Sequence, residues 1–233
     1  MEMKKIGLLG GMGPESTVDY YRGVVYGLQA ISGRDDWFPD VTIESVNIYE
    51  MLALCSVSPL DGLIDFLSSG VERLQRADAD IAAMAANTPH IVFDQVAARS
   101  SIPMISITEA TAKAASVKGL TKVGILGTQF TIDHGLYDKP LQGYSIEPVY
   151  PSDEDIRVLN HIIVDELEHG RVTPTSKNAV IGIIHTMIDA RHIDGIVLGC
   201  TELPLLLAED DVPIEVVNST TAHVDAIVDA ACA

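Results

Sequence analysis

Cysteine is scarce in this chain of 233 residues. Cys55, Cys200 and Cys232 cannot all pair, and none belongs to a Cys-x-x-Cys, which excludes a disulfide framework and argues against a zinc site. Aromatic residues are few as well. Four Phe, seven Tyr and one Trp leave little material for a platform on which bases stack. Basic residues number 15 against 33 acidic ones, a net charge of −18. That field repels phosphate backbones and anionic lipid, so neither nucleic acid nor a membrane surface is an expected partner. It also repels a free anionic substrate, so any acidic ligand must be held by local donors. No apolar run reaches the roughly 18 residues of a membrane helix. The opening Met1-Glu2-Met3-Lys4-Lys5-Ile6 runs straight into glycines and has no signal-peptide apolar region. The expected setting is the cytoplasm.

What the chain does have is apolar material, 47% of residues with a mean hydropathy of +0.24, enough to bury a sizeable core. Short apolar runs alternate with longer amphipathic ones, the rhythm of β-α-β units on parallel sheets. Strands are expected at Ile6–Leu9, Val41–Val46, Ile81–Met84, Met104–Ile107, Val123–Leu126, Ser145–Val149, Gly195–Leu198 and Glu215–Val217. Helices are expected from Glu15 to Leu28, Leu60 to Arg76, Thr108 to Val117, Asp153 to His169, Thr175 to Ala190 and Ser219 to Ala231.

The chain also repeats itself. Lys5-Ile6-Gly7-Leu8-Leu9-Gly10 returns as Lys122-Val123-Gly124-Ile125-Leu126-Gly127, a shift of 117. Asp80-Ile81-Ala82-Ala83-Met84 returns as Asp194-Gly195-Ile196-Val197-Leu198, a shift of 114, and Ile102-Pro103-Met104-Ile105 as Val212-Pro213-Ile214-Glu215, a shift of 110. Three matches in one order at nearly one spacing imply two similar α/β halves. The expected architecture is two pseudo-symmetric domains, each a parallel sheet flanked by helices, with a ligand cleft where the carboxyl ends of the strands meet. The expected boundaries are residues 1–113 plus a returning 209–233 for the first, and 114–208 for the second.

Chemistry-bearing residues gather at the ends of these strands. Gly10-Gly11-Met12-Gly13-Pro14 closes the first strand and opens a helix, where backbone N–H groups can meet an anion or simply make a tight turn. Ala86-Asn87-Thr88-Pro89-His90 follows the third strand, with Asn87 and Thr88 as ligand donors or as caps and His90 as a structural or catalytic imidazole. Thr128 follows the repeated first strand, again as anion donor or cap. Gly199-Cys200-Thr201-Glu202 ends the apolar strand Ile196–Leu198 and is expected to start a short helix through Leu207. A thiol near a helix's positive end is expected to have a lowered pKa and to serve as a base.

On these motifs, in this order over nearly the whole chain, the sequence resembles the aspartate/glutamate racemase family. The resemblance implies a cofactor-independent, cytoplasmic amino-acid racemase that forms a homodimer, takes a small amino-acid or dicarboxylate substrate, and uses two thiols, one per half. Inverting a stereocentre by proton transfer needs an acid/base group on each face of the α-carbon, and donors must stabilise the charge that develops on its carboxylate. By this resemblance Cys200 is the second-half thiol, while Met12, Asn87, Thr88, Thr201 and, at the edge, Thr128 cradle the carboxylate. The chain departs from the family pattern at two places. Ala86 stands where the first-half thiol belongs, and a methyl group cannot move a proton. Glu50-Met51-Leu52 stands where certain relatives carry an arginine for a side-chain carboxylate. Two other functions stay open beside the racemase: a single-thiol decarboxylase or isomerase of the same fold, and a silent binder of small carboxylates.

Overall fold

The computed structural model describes residues 3–233, and among them eight strands form two separate four-stranded sheets. In the first, β1 (Ile6–Gly10), β2 (Val41–Ser45), β3 (Ile81–Met84) and β4 (Met104–Ile105) lie in the order β2-β1-β3-β4. In the second, β5 (Lys122–Leu126), β6 (Glu147–Val149), β7 (Gly195–Leu198) and β8 (Glu215–Asn218) lie in the order β6-β5-β7-β8. Every pairing is parallel, with Ile6 opposite Ile81 in the first sheet and Val123 opposite Gly195 in the second. The two orders are the same once the repeat is applied, which is the α/β architecture that the sequence predicts.

The helices are α1 (Pro14–Ser32), α2 (Ile48–Cys55), α3 (Asp61–Arg76), α4 (Phe93–Arg99), α5 (Ile107–Val117), α6 (Gln129–Asp133), α7 (Asp138–Gly143), α8 (Asp153–His161), α9 (Pro174–Arg191) and α10 (Ser219–Cys232). Helices α2, α4, α6 and α7 are not among the sequence expectations; each is one or two turns long and shows no sustained period. The expected helix from Asp153 to His169 stays α-helical only to His161. It widens into a π turn at Ile162–Glu166, tightens into a 3₁₀ turn at Leu167–His169 and stops at Gly170, whose φ is 68°.

Alternation along the strands divides the first core. Ile6, Leu8, Ile81 and Ala83 pack with Tyr20, Val24 and Leu28 of α1 and with Val224, Ile227 and Val228 of α10. Leu9, Ala82, Met84 and Ala86 turn the other way, onto Leu63, Leu67, Val71 and Leu74 of α3. In the second half Leu126, Ile196, Leu198 and Cys200 share one face and meet Val180, Ile183, Ile184 and Met187 of α9. Each such aliphatic side chain contributes about 1.5–3 kcal/mol on leaving water.

Two compact units result: residues up to Ile107 with His223–Ala233, and Thr108–Ala222. Their limits differ from the expected 113/114 and 208/209. Strand β8 pairs with β7, Ile196 opposite Val216, which keeps the chain in the second unit beyond residue 208. Thr111 of α5 hydrogen-bonds Tyr137, which draws that helix into the second unit as well.

Candidate active site

In the first unit the strand ends are held by hydrogen bonds that leave little freedom. Val46 N–H donates to Gly10 O at 2.9 Å, and Gly11 N–H donates to Thr17 Oγ1 at 2.9 Å. Gly11 has a φ of 81°, and a β-carbon there would lie 2.3 Å from Val46 O, so the turn requires glycine. Met12, read from the sequence as part of a substrate cradle, is buried in the cluster that contains Met51, Met84 and Ala86. The Met12 side chain is thus part of the core.

Ala86 lies two residues beyond the end of β3, on the same face as Ala82 and Met84, and is 5% exposed. Ala85 O accepts the Ser16 hydroxyl at 2.9 Å, and Ala85 N–H donates to Leu9 O at 2.9 Å. Asn87 is buried and Thr88 half-buried; Thr88 opens a 3₁₀ turn, Thr88–Val92, with Pro89 in its first turn.

His90 is structural. Ile107 N–H donates to its Nε2 at 3.1 Å, which leaves Nδ1 as the protonated nitrogen, donating to Ala86 O at 2.8 Å. Its ring stacks on Phe93, centroids 5.2 Å apart, and meets His223 edge-on at 5.8 Å. His223 in turn donates from Nε2 to Ile105 O at 2.9 Å and accepts the Tyr20 hydroxyl at Nδ1, 2.8 Å away. Two neutral imidazoles thus tie α1, α10, β4 and the start of α5 to the loop that carries Ala86.

Burial, and for His90 also the neighbouring His223, lowers these imidazoles from 6.5 to about 3 at His90 and about 4 at His223. Unfolded, both take up protons below pH 6.5; folded, they do not until far lower. Stability from this pair is therefore complete above pH 6.5 and is lost as pH falls toward 4 and 3, at about 1.4 kcal/mol per pH unit for each group. Urea midpoints should hold steady from about pH 8 to 7 and drop below about pH 6. The drop should be shallower in His223→Gln, and an equally steep acid limb in that variant would count against the assignment.

The second unit presents the matching strand end. With the shift of 114, Ala82, Met84 and Ala86 correspond to Ile196, Leu198 and Cys200, so Ala86 and Cys200 hold equivalent places in their own units. Gly199 N–H donates to Leu126 O at 2.7 Å, and the Ser219 hydroxyl donates to Leu198 O at 2.7 Å. A β-carbon on Gly199 would lie 2.9 Å from Leu126 O and 3.0 Å from the ring of the fully buried Tyr137. Backbone and ring together fix the corner on which Cys200 sits.

The expected helix after Cys200 is replaced by a short 3₁₀ turn, Leu203–Leu205. The expected depressed thiol pKa is corrected with it. Cys200 is 6% exposed, and its Sγ donates to Glu202 Oε2 at 3.0 Å. Burial pushes the thiol well above its usual value of 9, and the Glu202 and Glu168 carboxylates add to the rise. The resting residue is a neutral proton donor, not a thiolate. Thr201 donates to the same Glu202 oxygen at 2.7 Å. Glu168, placed by the irregular end of the α8 segment, is itself raised by partial burial and then by Glu202 and Asp165. Thr128 caps α6, its Oγ1 accepting Thr131 N–H at 3.3 Å.

Sequence reasoning assigned no role to Glu202 or Glu168. Glu202 stood in the quoted motif, two residues from the thiol, and that spacing was the available signal. Glu168 lies 32 positions before Cys200 and carries no local mark.

The chain matches the Asp/Glu/Hydantoin racemase family over residues 9–227. It is 26% identical over 218 residues to the broad specificity amino-acid racemase RacX of Bacillus subtilis (strain 168), covering 92% of each chain. Among solved structures it is similar to an aspartate racemase homologue from Pyrococcus horikoshii OT3, with 35% identity, a TM-score of 0.87 and coverage of 99% of this chain and 100% of that one. A candidate Asp/Glu racemase from Yersinia pestis superposes with a TM-score of 0.91 at 33% identity, again over 99% and 100% of the two chains. With its doubled sheet, its repeated strand-end loops and a match that spans nearly its full length, the chain belongs to the Asp/Glu/Hydantoin racemase family.

Proposed function

We propose that this protein is a cofactor-independent amino-acid racemase in which Cys200 is an acid/base residue and Ala86 occupies the place of the other. The observation that carries the reading is the Cys200 thiol, held at the carboxyl end of β7 with its proton already on a hydrogen bond. Family membership and the resemblance to a broad specificity racemase support amino acids as substrates. Backbone of the Met12 loop, Asn87, Thr88 and Thr201 would hold the α-carboxylate, with Thr128 at the edge. Such donors stabilise the charge that develops there as the α-proton leaves. A water or a neighbouring side chain serves the face that Ala86 cannot. The same reading makes the protein a cytoplasmic homodimer. Three free cysteines fit a reducing compartment. Val18, Tyr21, Ile43, Tyr49, Leu52 and Val57, all exposed in the first unit, supply apolar surface for a partner copy.

A second reading is favoured by one pair of observations, the methyl group at Ala86 and the protonated thiol at Cys200. A neutral thiol with no opposing base is suited to protonating a carbanion on one face, as in a decarboxylation or a one-face isomerisation. Incubation with L- and D-amino acids in heavy water separates the two. Racemisation gives α-deuterium with inversion; one-face chemistry gives exchange with retention. No exchange with any of the protein amino acids would remove the racemase reading.

A further inference from the structure

The first unit carries a cavity that the proposed reaction does not use. It measures about 640 Å³, within the range of small-molecule sites, and lies at the amino ends of β1, β2 and β3. Lys5, Asp40 and Asp80, each the residue immediately before one of those strands, line it. Parallel pairing sets the three side by side, since Ile6 lies opposite both Val41 and Ile81. The five residues of β1, at about 3.3 Å each, put roughly 15 Å of strand between this end and the Gly10 end, where the loops of the candidate active site begin.

The lining carries both signs of charge. Lys4 Nζ donates to Ala230 O at 3.2 Å and Lys5 Nζ to Ala77 O at 2.5 Å. An ammonium has three donors, so each lysine is anchored by one bond and has two to offer. Arg34 pairs with Asp36 through Nε alone, at 3.2 Å, and that pair is exposed. Of the carboxylates, Asp80 accepts Lys5 N–H through Oδ2 at 2.7 Å, and Asp40 is exposed. The rim is apolar. Trp37, the chain's one tryptophan, is half-buried against the cluster of α1 and α10, while Ile31 and Phe38 are 52% and 56% exposed. In a chain of net charge −18, three cations at one cavity mark a place that accepts an anion. The two carboxylates among them favour a ligand that also carries a positive group, and the exposed apolar rim favours one with an apolar side chain.

We propose that this cavity binds a free α-amino acid with an apolar or aromatic side chain, as the zwitterion. The ligand's carboxylate takes donors from Lys4, Lys5 and Arg34, and its ammonium meets Asp40 and Asp80. Its side chain covers Ile31, Trp37 and Phe38. The site goes beyond the racemase reading, because none of these residues belongs to the loops that carry Ala86 and Cys200.

The test uses Trp37, whose indole N–H gives the chain's one indole signal in a nitrogen–proton correlation spectrum. Titrating the full chain with L-phenylalanine should move that signal saturably. An exposed charge pair is commonly worth about two- to fivefold in affinity, so Lys4→Ala combined with Arg34→Ala should raise Kd by about tenfold. Asp40→Asn should raise it by about two- to fivefold. N-acetyl-L-phenylalanine lacks the ammonium and phenethylamine lacks the carboxylate, so each should bind more weakly than the amino acid. A signal that does not move saturably overturns the proposal. So does an unchanged Kd in the folded Lys4→Ala/Arg34→Ala variant, since the signal would then report binding elsewhere. Equal affinity for N-acetyl-L-phenylalanine or for adenosine monophosphate also overturns it, because the cavity would then recognise an anion alone. If the titration behaves as expected while the protein racemises no amino acid, the function proposed above fails and this site stands.

Discussion

Cys200→Ala is expected to abolish both α-proton exchange and inversion, a loss of about 10²–10⁴-fold, the usual worth of one positioned acid/base group. The expectation follows from the poverty of alternatives around the site. The hydroxyl of Tyr137 is buried and its ionisation pushed up by that burial, so it cannot take over as a base. Alanine fits the space in the apolar cluster, and Glu202 keeps its bond from Thr201, so the fold should survive. Cys200→Ser is the sharper comparison, because it retains a donor to Glu202 while raising the cost of ionisation. Exchange should stay close to the alanine level in the serine variant although thermal stability matches wild type. Full exchange in Cys200→Ala, measured by deuterium incorporation, would remove Cys200 from the chemistry.

The central strands β1, β3, β5 and β7 were legible because parallel strands buried on both faces read as short, largely apolar runs. Ile81–Met84 and Gly195–Leu198 came out with the bounds observed. The repeat supplied the pairing of halves, and with it the equivalence of Ala86 and Cys200, before any geometry was in view. What failed was set by contacts far apart in sequence. Strand β8 reads like an ending of the second half, yet which unit keeps the next residues depends on its pairing with β7. The π turn at Ile162–Glu166 leaves no local signal, since Ile162, Ile163 and Leu167 would suit an unbroken helix equally well.

The site shows the same division. A thiol at a strand end is a local fact that residue spacing can reveal. Its protonation state is not local. A helix dipole was the local signal at that corner, but Cys200 is followed by the short 3₁₀ turn Leu203–Leu205, and burial under Leu203 and Leu206 with a carboxylate at 3.0 Å acts in the opposite direction. His90 could be assigned only through Ile107, 17 residues on, and His223, in the last helix.

Restoring a thiol in the first unit should produce the largest gain. Ala86 and Cys200 sit at equivalent places on equivalent strand ends, so Ala86→Cys puts a second acid/base group where the repeat requires one. Inversion should rise by about 10²–10⁴-fold. Exchange on the face served by Cys200 should change far less, because that group is untouched. Room is the first obstacle. Ala86 is 5% exposed, among Met12, Met51 and Met84, and an added sulfur in a packed core costs about 1–3 kcal/mol when its neighbours cannot move. Methionine side chains have three rotatable bonds and fill gaps flexibly, so the cost should lie at the low end of that range. The loop itself should hold, since Ala85 and Ala86 are fixed through backbone atoms, by Ser16, Leu9 and His90, and none of those bonds involves the methyl group. The measurement is the ratio of inversion to exchange in heavy water, with a urea titration to show that Ala86→Cys is folded. A folded variant whose ratio equals that of the wild-type protein would mean that another group already serves the second face, or that the reaction needs only one. The second result would replace two-face racemisation with the one-face chemistry that a protonated Cys200 and a methyl group at residue 86 favour.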